Sequence, residues 1–366
     1  MAGSFFDKMG QKMTQRDFIG EGIDMKELFK LQQLLVPDLL NVMERRYFVL
    51  RSIRLTEPVG RRPLAQMLEM TERVLRGEVE FLKGQHLIDF QPAGMSLTPE
   101  GREHLTKLDV LMREIIGIHK VEQQLSECLG IAETIIVPGD SDKMPLIKDE
   151  IGKACARRLE ALLVEKNTIT VTGGTTMGSV ANALMEINVE GKEMIFVPAR
   201  GGVGGKVSDQ ANSICAVMAD NTGGTHRVMY VPDEVSDELR TILLKEPSIN
   251  NTLTLIRSAD IVLHGIGEAM KMAERRNTDE ESMNKIIKRH AVGEAFGYYF
   301  DSDGNIVHKV STIGLQLEDL PHFKYIIAAA GGKSKATAIK SYMKNAPRST
   351  VLVTDEGAAK EILKGE

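Results

Sequence analysis

From Ile131 onward, short β-branched runs alternate with helical stretches, and no other feature restricts the fold as much. The runs are Thr134–Val137, Thr168–Val171, Met194–Val197, Arg227–Val231, Asp260–Leu263, Tyr325–Ala328 and Thr350–Val353. Strands separated by helix-length intervals pair in parallel, because a parallel connection must cross over and a helix fills the crossover. The expectation is a Rossmann-like α/β parallel-sheet domain over residues 131–366, with right-handed crossovers. One stretch departs from the pattern. Phe296–Phe300 and Asn305–Lys309 flank Asp301-Ser-Asp-Gly304 and read as a small antiparallel hairpin insertion.

Several of these runs end in a glycine loop that leads into a helical stretch. The loops are Val171-Thr-Gly-Gly-Thr-Thr-Met-Gly178, Pro198-Ala-Arg-Gly-Gly202, His264-Gly-Ile-Gly-Glu268 and Gly331-Gly-Lys-Ser-Lys335. Parallel strands place them at one sheet edge, where open α/β sheets bind ligands. Glycine lets the backbone approach a ligand closely. The N–H groups opening a helix then favour a phosphate. The first loop is neither a Walker loop nor a dinucleotide fingerprint, so alone it is equally a plain connection. Together the loops deliver Thr175, Thr176, Arg200, Lys333 and Lys335, with Arg275 and Arg276 about one helix after His264. Several cations at one edge suit a ligand with more than one phosphate. Glu294 is either an acceptor for a sugar hydroxyl or a partner in a structural salt bridge.

Catalysis needs an acid and a base within hydrogen-bond reach of the reacting atoms. Asp140, Asp142, His264 and Asp355 fall near strand ends, but no His/carboxylate pair is close in sequence. Such residues commonly cap helices or satisfy loops. The expectation is therefore not an enzyme; a sugar-phosphate isomerase or deaminase with a regulatory head is the alternative.

Ahead of the α/β part, residues 1–25 have no period and read as a flexible extension. Met25–Val36 is amphipathic through Leu28, Leu31, Leu34 and Leu35. Pro37 suits the first position of the next helix, which runs to about Arg54 and buries Leu39, Leu40, Met43, Leu50 and Ile53. Arg62–Glu69 reads as a short helix started by proline, with Met70 as the turn. Thr71 is an N-cap candidate for Glu72–Lys83. In that helix Leu75, Val79 and Leu82 share the core face, while Arg73, Arg76, Gly77 and Glu80 point outward. Leu87–Phe90 and Met95–Leu97 read as a hairpin wing. The pattern is a winged helix-turn-helix DNA-binding domain over residues 26–106. Nine Lys/Arg against five Asp/Glu lie between Arg45 and Lys83, in a chain of net charge −5. A basic island in an acidic protein points to an anionic partner. The expected DNA-facing set is Arg61, Arg62, Thr71, Arg73 and Arg76, with Arg73 and Arg76 on bases and Arg61 and Arg62 on phosphates.

Thr98-Pro99 opens a further helix in which Leu105, Leu108, Met112, Ile115 and Leu125 recur near heptad spacing. Residues 107–130 are expected to form a linker helix that either dimerises or packs on its own body. Paired half-sites favour an even-numbered assembly, homodimer or homotetramer. Cys128, Cys155 and Cys215 are too far apart for a metal knuckle, and their odd number fits a reducing compartment. No apolar run approaches the roughly 20 residues of a membrane span. The start has no continuous apolar segment of a secretory signal. These points give a cytoplasmic protein with no cofactor and no membrane.

The winged-helix head resembles the SorC family of sugar-responsive transcriptional repressors. So do Val171–Thr176, Pro198-Ala-Arg-Gly-Gly, Ala273-Glu-Arg-Arg-Asn277, Glu294-Ala-Phe-Gly-Tyr-Tyr, Gly331-Gly-Lys-Ser-Lys-Ala and Val353-Thr-Asp-Glu-Gly-Ala-Ala. The likeness runs from about Leu31 to the end. It implies a sugar-binding domain related to glucosamine-phosphate deaminases but lacking their catalysis. It also implies fructose 1,6-bisphosphate as inducer and double-stranded operator DNA ahead of glycolytic genes as partner. By motif, Gly173, Gly174, Thr175 and Thr176 fall on the family's phosphate loop, and Gln210 on a polar ligand contact. Arg200 and Arg275 fall on its two arginines, Glu294 on the sugar-hydroxyl acceptor, and Lys335 on the lysine of the late glycine loop.

Overall fold

A computed structural model describes residues 34–115, 117–202 and 206–364. The chain divides into two compact units, Met1–Ile116 and Gly117–Glu366. The expected extension and most of the Met25–Val36 helix lie outside the described residues. Of that helix's apolar face, Leu34 and Leu35 are described and are exposed.

In the head, α1 (Pro37–Thr56) starts with proline at its first turn. It buries Leu40, Leu50 and Ile53, with Met43 packed against the same core. Leu39, expected inside, is 45% exposed. It sits in the first turn, where Asp38 is exposed as well. The helix-turn-helix is α2 (Arg61–Met67) and α3 (Glu72–Gly84). The first starts at Arg61, not Arg62, and Pro63 falls within its first turn, where a missing N–H costs nothing. Thr71 caps α3, its hydroxyl accepting from the Val74 N–H at 3.3 Å. Leu75, Val79 and Leu82 are buried in the head's core. The wing pairs β1 (Ile88–Gln91) with β2 (Gly94–Leu97). Then α4 (Pro99–Ile115) follows, capped by Thr98, which accepts from the Gly101 N–H at 2.8 Å.

The expected linker helix is not continuous. Gly117 has a left-handed backbone, φ 71°, and a new helix, α5 (Ile118–Leu129), starts after it. The near-heptad spacing therefore spans two helices. Leu105 and Met112 belong to the head's core, and Leu125 is buried in the second unit.

The body carries a seven-stranded parallel sheet ordered β3-β13-β12-β7-β4-β5-β6. The strands are β3 (Glu133–Val137), β4 (Lys166–Val171), β5 (Glu193–Pro198), β6 (Thr225–His226), β7 (Ile261–Gly265), β12 (Tyr325–Ala329) and β13 (Thr350–Asp355). Six of the seven expected runs form their strand. The exception is Arg227–Val231, which leaves the ladder after His226. The backbone N–H and C=O of Met229 are instead bonded by the Asn212 side chain, at 3.0 and 3.1 Å.

The expected hairpin is real, pairing β10 (Tyr298–Phe300) with β11 (Ile306–Lys309), but it belongs to a larger antiparallel sheet. That sheet adds β9 (Gly293–Ala295) and β8 (Gly267–Glu268). The β9–β10 turn holds Phe296 and Gly297 at φ 55° and 86°. Two successive positive φ values suit a tight hairpin of this twist. The small sheet thus carries Glu294 on β9, close to the carboxyl end of β7.

Candidate functional site

A cavity of about 310 Å³ opens at the carboxyl ends of the central strands. Gly173, Gly174, Thr175, Thr176, Arg200, Gln210, Arg275, Glu294 and Lys335 all line it. The sequence-expected body set is thus brought together.

The floor is the turn from β4 into the helix Thr175–Ala183. Gly173 must be glycine because a Cβ there would lie 2.6 Å from the Asp209 carbonyl oxygen. Gly174 has φ 123° and ψ 158°, and its N–H donates to that same carbonyl at 2.8 Å. This pinned turn leaves the next N–H groups, from Thr175 on, without intrahelical acceptors. Thr176 is buried and Thr175 is exposed.

One side of the cavity is an ion-pair network. The Arg200 Nε donates to Asp233 Oδ1 at 2.5 Å, and its Nη1 lies 3.4 Å from Glu294 Oε1. From the end of the helix Ala269–Arg276, Arg276 donates through Nε to Asp233 Oδ2 at 2.9 Å. It also donates to Glu294 Oε1 and to the Tyr299 hydroxyl, both at 2.8 Å. The four charged side chains are nearly inaccessible, at 6% or less. Burial alone pushes the Glu294 carboxyl up. The Arg276 and Arg200 guanidinium groups and the Gly297 N–H outweigh it and hold the group below the ordinary glutamate range. Of the two readings of Glu294, the salt bridge is the one formed here. It is a buried salt-bridge partner, and it also lines the cavity. Arg275 points elsewhere, its Nη2 3.8 Å from Asp209 Oδ2.

The other side is lysine-rich. The Lys335 Nζ donates to the Ile266 carbonyl at 3.1 Å. Burial pushes its ammonium below the ordinary lysine range, and Lys148 and Lys271 push the same way. Lys333 does not join it; its ammonium pairs with Glu361 at 3.5 Å, because the short helical turn at Lys333–Lys335 sends the two lysines in different directions.

The acid/base candidates have other roles. His264 is fully buried, with Nδ1 3.2 Å from the Gly265 carbonyl and Nε2 3.1 Å from the Tyr342 hydroxyl. Asp355 accepts from the N–H groups of Ser141, Gly332 and Ala358, the last as helix cap. Asp140 and Asp142 accept from Lys333 and Ser334 N–H. These carboxylates tie the loop after β3 to the Gly331 loop.

Asp233, Tyr299, Lys148 and Lys271 are absent from the expected set. Arg276 is among the cations expected at this edge, but the family motif pointed to Arg275 and not to Arg276. Asp233 had no signal, since its partners lie 33 and 43 residues away.

In the head, Arg61, Arg62, Thr71, Arg73 and Arg76 are all exposed. Arg62 pairs with Glu72 at 3.3 Å, an exposed pair that contributes little. Glu78, on the inner side of α3, pairs with Arg45 at 3.2 Å and Arg46 at 2.9 Å, both on α1. Arg46 also lies 3.5 Å over the Phe81 ring. These contacts fix α3 and leave its Arg73 and Arg76 side to solvent.

Comparison with known proteins identifies both parts of the chain. The CggR N-terminal DNA binding domain family matches residues 42–112, and the sugar-binding domain family (Sugar-bind) matches residues 113–364. The central glycolytic genes regulator of Priestia megaterium is 50% identical over 341 residues, covering 93% of this chain and 99% of that one. Its Bacillus subtilis counterpart is 49% identical, covering 93% and 100%. The chain belongs to the central glycolytic genes regulators of the SorC family. A SorC family regulator structure from Enterococcus faecalis is 48% identical with a TM-score of 0.64, covering 67% of this chain and 100% of that one. The full-length sorbitol operon regulator SorC of Klebsiella pneumoniae, 17% identical, shares the fold over 93% of this chain and 99% of its own, TM-score 0.61. This family member is thus a transcriptional regulator, not an enzyme, with a DNA-binding head and a sugar-binding body. No helix among the described residues is long and apolar enough to cross a membrane.

Proposed function

We propose that the chain represses central glycolytic genes in the cytoplasm and that a phosphorylated sugar, fructose 1,6-bisphosphate, modulates its hold on operator DNA. The head binds double-stranded operator through Arg61, Arg62, Thr71, Arg73 and Arg76, as a homodimer or homotetramer. The observation that carries the reading is the cavity itself. Separate loops bring Gly173, Gly174, Thr175, Thr176, Arg200, Gln210, Arg275, Glu294 and Lys335 to one space of about 310 Å³. That volume is at the small-molecule end of ligand sites. Two separate groups of cations, Arg200 with Arg276 and Lys335 with Lys148 and Lys271, line it, which suits a ligand with two phosphates. Glu294 is the acceptor for a sugar hydroxyl. An effector that binds the free form more tightly than the DNA-bound form must weaken DNA binding by linkage. A gel shift on operator DNA with and without fructose 1,6-bisphosphate tests this. An unchanged affinity together with an unchanged complex stoichiometry refutes it.

A further inference from the structure

The outward face of α3 carries a residue that the fold does not ask for. Leu75, Glu78, Val79 and Leu82 are the buried face of this helix. At 3.6 residues per turn the opposite ridge is Arg73, Gly77, Glu80 and Gly84, and all four are exposed. Glycine is among the least favourable residues in a helix interior, because it loses the most backbone freedom on folding. At Gly84, the last residue of the helix, that hardly counts. Gly77 lies in the middle of its thirteen residues.

Nothing within the chain requires a glycine at this position. A Cβ built on Gly77 meets no other atom within 4 Å. Its backbone is ordinary right-handed helix, so no left-handed angle demands glycine either. Gly101 in α4 is the contrast, since a Cβ there would run into the Leu87 carbonyl. The neighbours of Gly77 have the chemistry of a base reader. Arg73 precedes it by one turn and Arg76 flanks it. On the other flank Val74 is 42% exposed, apolar like the side chains that pack on a thymine methyl. Glu80, about one turn further on, bears a charge that phosphates repel but that the cytosine amino group satisfies. This ridge suits the floor of the major groove and not its phosphate walls.

We infer that Gly77 is the point of closest approach between α3 and DNA, where the missing side chain lets the helix backbone sit against a base edge between Arg73 and Glu80. This rests on the reading above that this face of α3 meets operator DNA. A side chain at Gly77 would hold the helix off the groove floor and lengthen the hydrogen bonds of its arginines to bases.

The test uses the full chain and two duplexes of equal length at one salt concentration, an operator selected by the parent from a random pool and a random sequence. Binding is read by fluorescence anisotropy, and stability by thermal melting. Gly77→Ala and Gly77→Leu should leave the head's melting transition unchanged or raise it by a few degrees, since both residues are better helix formers. Operator affinity should move the opposite way. It should fall about tenfold for Gly77→Ala, the size of one spoiled base contact, and further for Gly77→Leu. Affinity for the random duplex should stay within about twofold. Gly84→Ala, at the end of the helix, should stay within about twofold on both duplexes. If both Gly77 variants bind operator like the parent while Arg73→Ala or Arg76→Ala loses it, the close approach is wrong and the DNA-facing reading of α3 stands. If all four variants bind like the parent, that reading falls too. An equal loss on both duplexes places the contact on phosphates and overturns the base-edge assignment. A lowered melting transition, or failure to fold, means that the fold itself needs the glycine and overturns the inference as well.

Discussion

His264 gives the sharpest quantitative test of how the body is built. It lies on β7 in the middle of the parallel sheet with no accessible surface. Its Nδ1–H faces the Gly265 carbonyl, which leaves Nε2 to accept from the Tyr342 hydroxyl. Burial pushes its pKa down to about 4, against weaker opposing effects of the Gly265 carbonyl and Glu294. In the unfolded chain a histidine titrates near pH 6.5. Between these values the unfolded state binds the extra proton, so stability rises with pH across that window. The contribution is complete above about pH 6.5 and is lost as the pH falls toward 4. At 1.36 kcal/mol per unit, the full difference is roughly 3 kcal/mol, of which roughly 2.5 is gone at pH 4.5. Urea unfolding of the body in the parent chain and in His264→Gln, at pH 7.5 and 4.5, measures it. The packing cost of the substitution is pH-independent and cancels in the comparison. The stability gap between the two proteins should narrow by about 2.5 kcal/mol on going to pH 4.5. An equal gap at both pH values refutes the buried neutral imidazole. A histidine neutral throughout the physiological range, with both ring nitrogens engaged, is a structural group and not a proton shuttle for the cavity.

Removing one charge from the arginine network should be costly. Asp233→Asn leaves two buried guanidinium groups sharing one carboxylate and should destabilise the body by about 3 kcal/mol in a urea titration; a loss below about 0.5 kcal/mol contradicts the pairing. Gly174→Ala adds a Cβ that meets nothing within 4 Å, so any loss reports backbone strain at φ 123°. About 1–3 kcal/mol is expected from the melting curve, and no change means that the turn relaxes. Lys335→Ala should blunt the sugar response in a gel shift while operator binding survives, and Arg76→Ala should do the reverse; loss of both activities in both variants overturns the division of labour. Sugar-phosphate affinity should rise through about pH 6 as the phosphate takes its second charge. It should then fall at high pH, as Lys335 loses its proton below the ordinary lysine range. A calorimetric pH series in which Lys335→Arg leaves the falling limb unmoved would assign that limb to another group.

Local chemistry made much of this legible in the sequence. Thr71 and Thr98 cap the helices they precede because their signals act over three residues. The glycine loops were visible because glycine is needed where Gly173 meets the Asp209 carbonyl. The parallel strands were visible through their β-branched runs. What failed depended on distant partners. The strand expected at Arg227–Val231 is lost because Asn212 takes the Met229 backbone bonds. β8 and β9 span Gly267–Glu268 and Gly293–Ala295, too short to leave a period. The pairing of Arg200 and Arg276 through Asp233 joins residues far apart in the chain, so charge type was readable but charge compensation was not.

That difference decides what each side of the cavity can contribute to regulation. A ligand shifts a conformational equilibrium only through interactions that differ between the two states. Lys148 and Lys335 have no carboxylate to exchange, so a phosphate bound there adds affinity without breaking an ion pair. Arg200 and Arg276 cannot accept a new anion without giving up part of Asp233 or Glu294. Asp233 is flanked by the bridges of Gly202 with Pro232 and Glu234 with Thr312, and Arg200 itself bridges Gly314. Exchange at the arginine side therefore pulls on three separate backbone segments, whereas on the lysine side the ion pair present is that of the exposed Lys271 with Glu268. A coupling of about 1–3 kcal/mol, the usual range for allosteric effects, is within reach of one such exchange. A monophosphate held by the lysines would then bind and leave the network intact, and only a ligand long enough to reach both sides would disturb it.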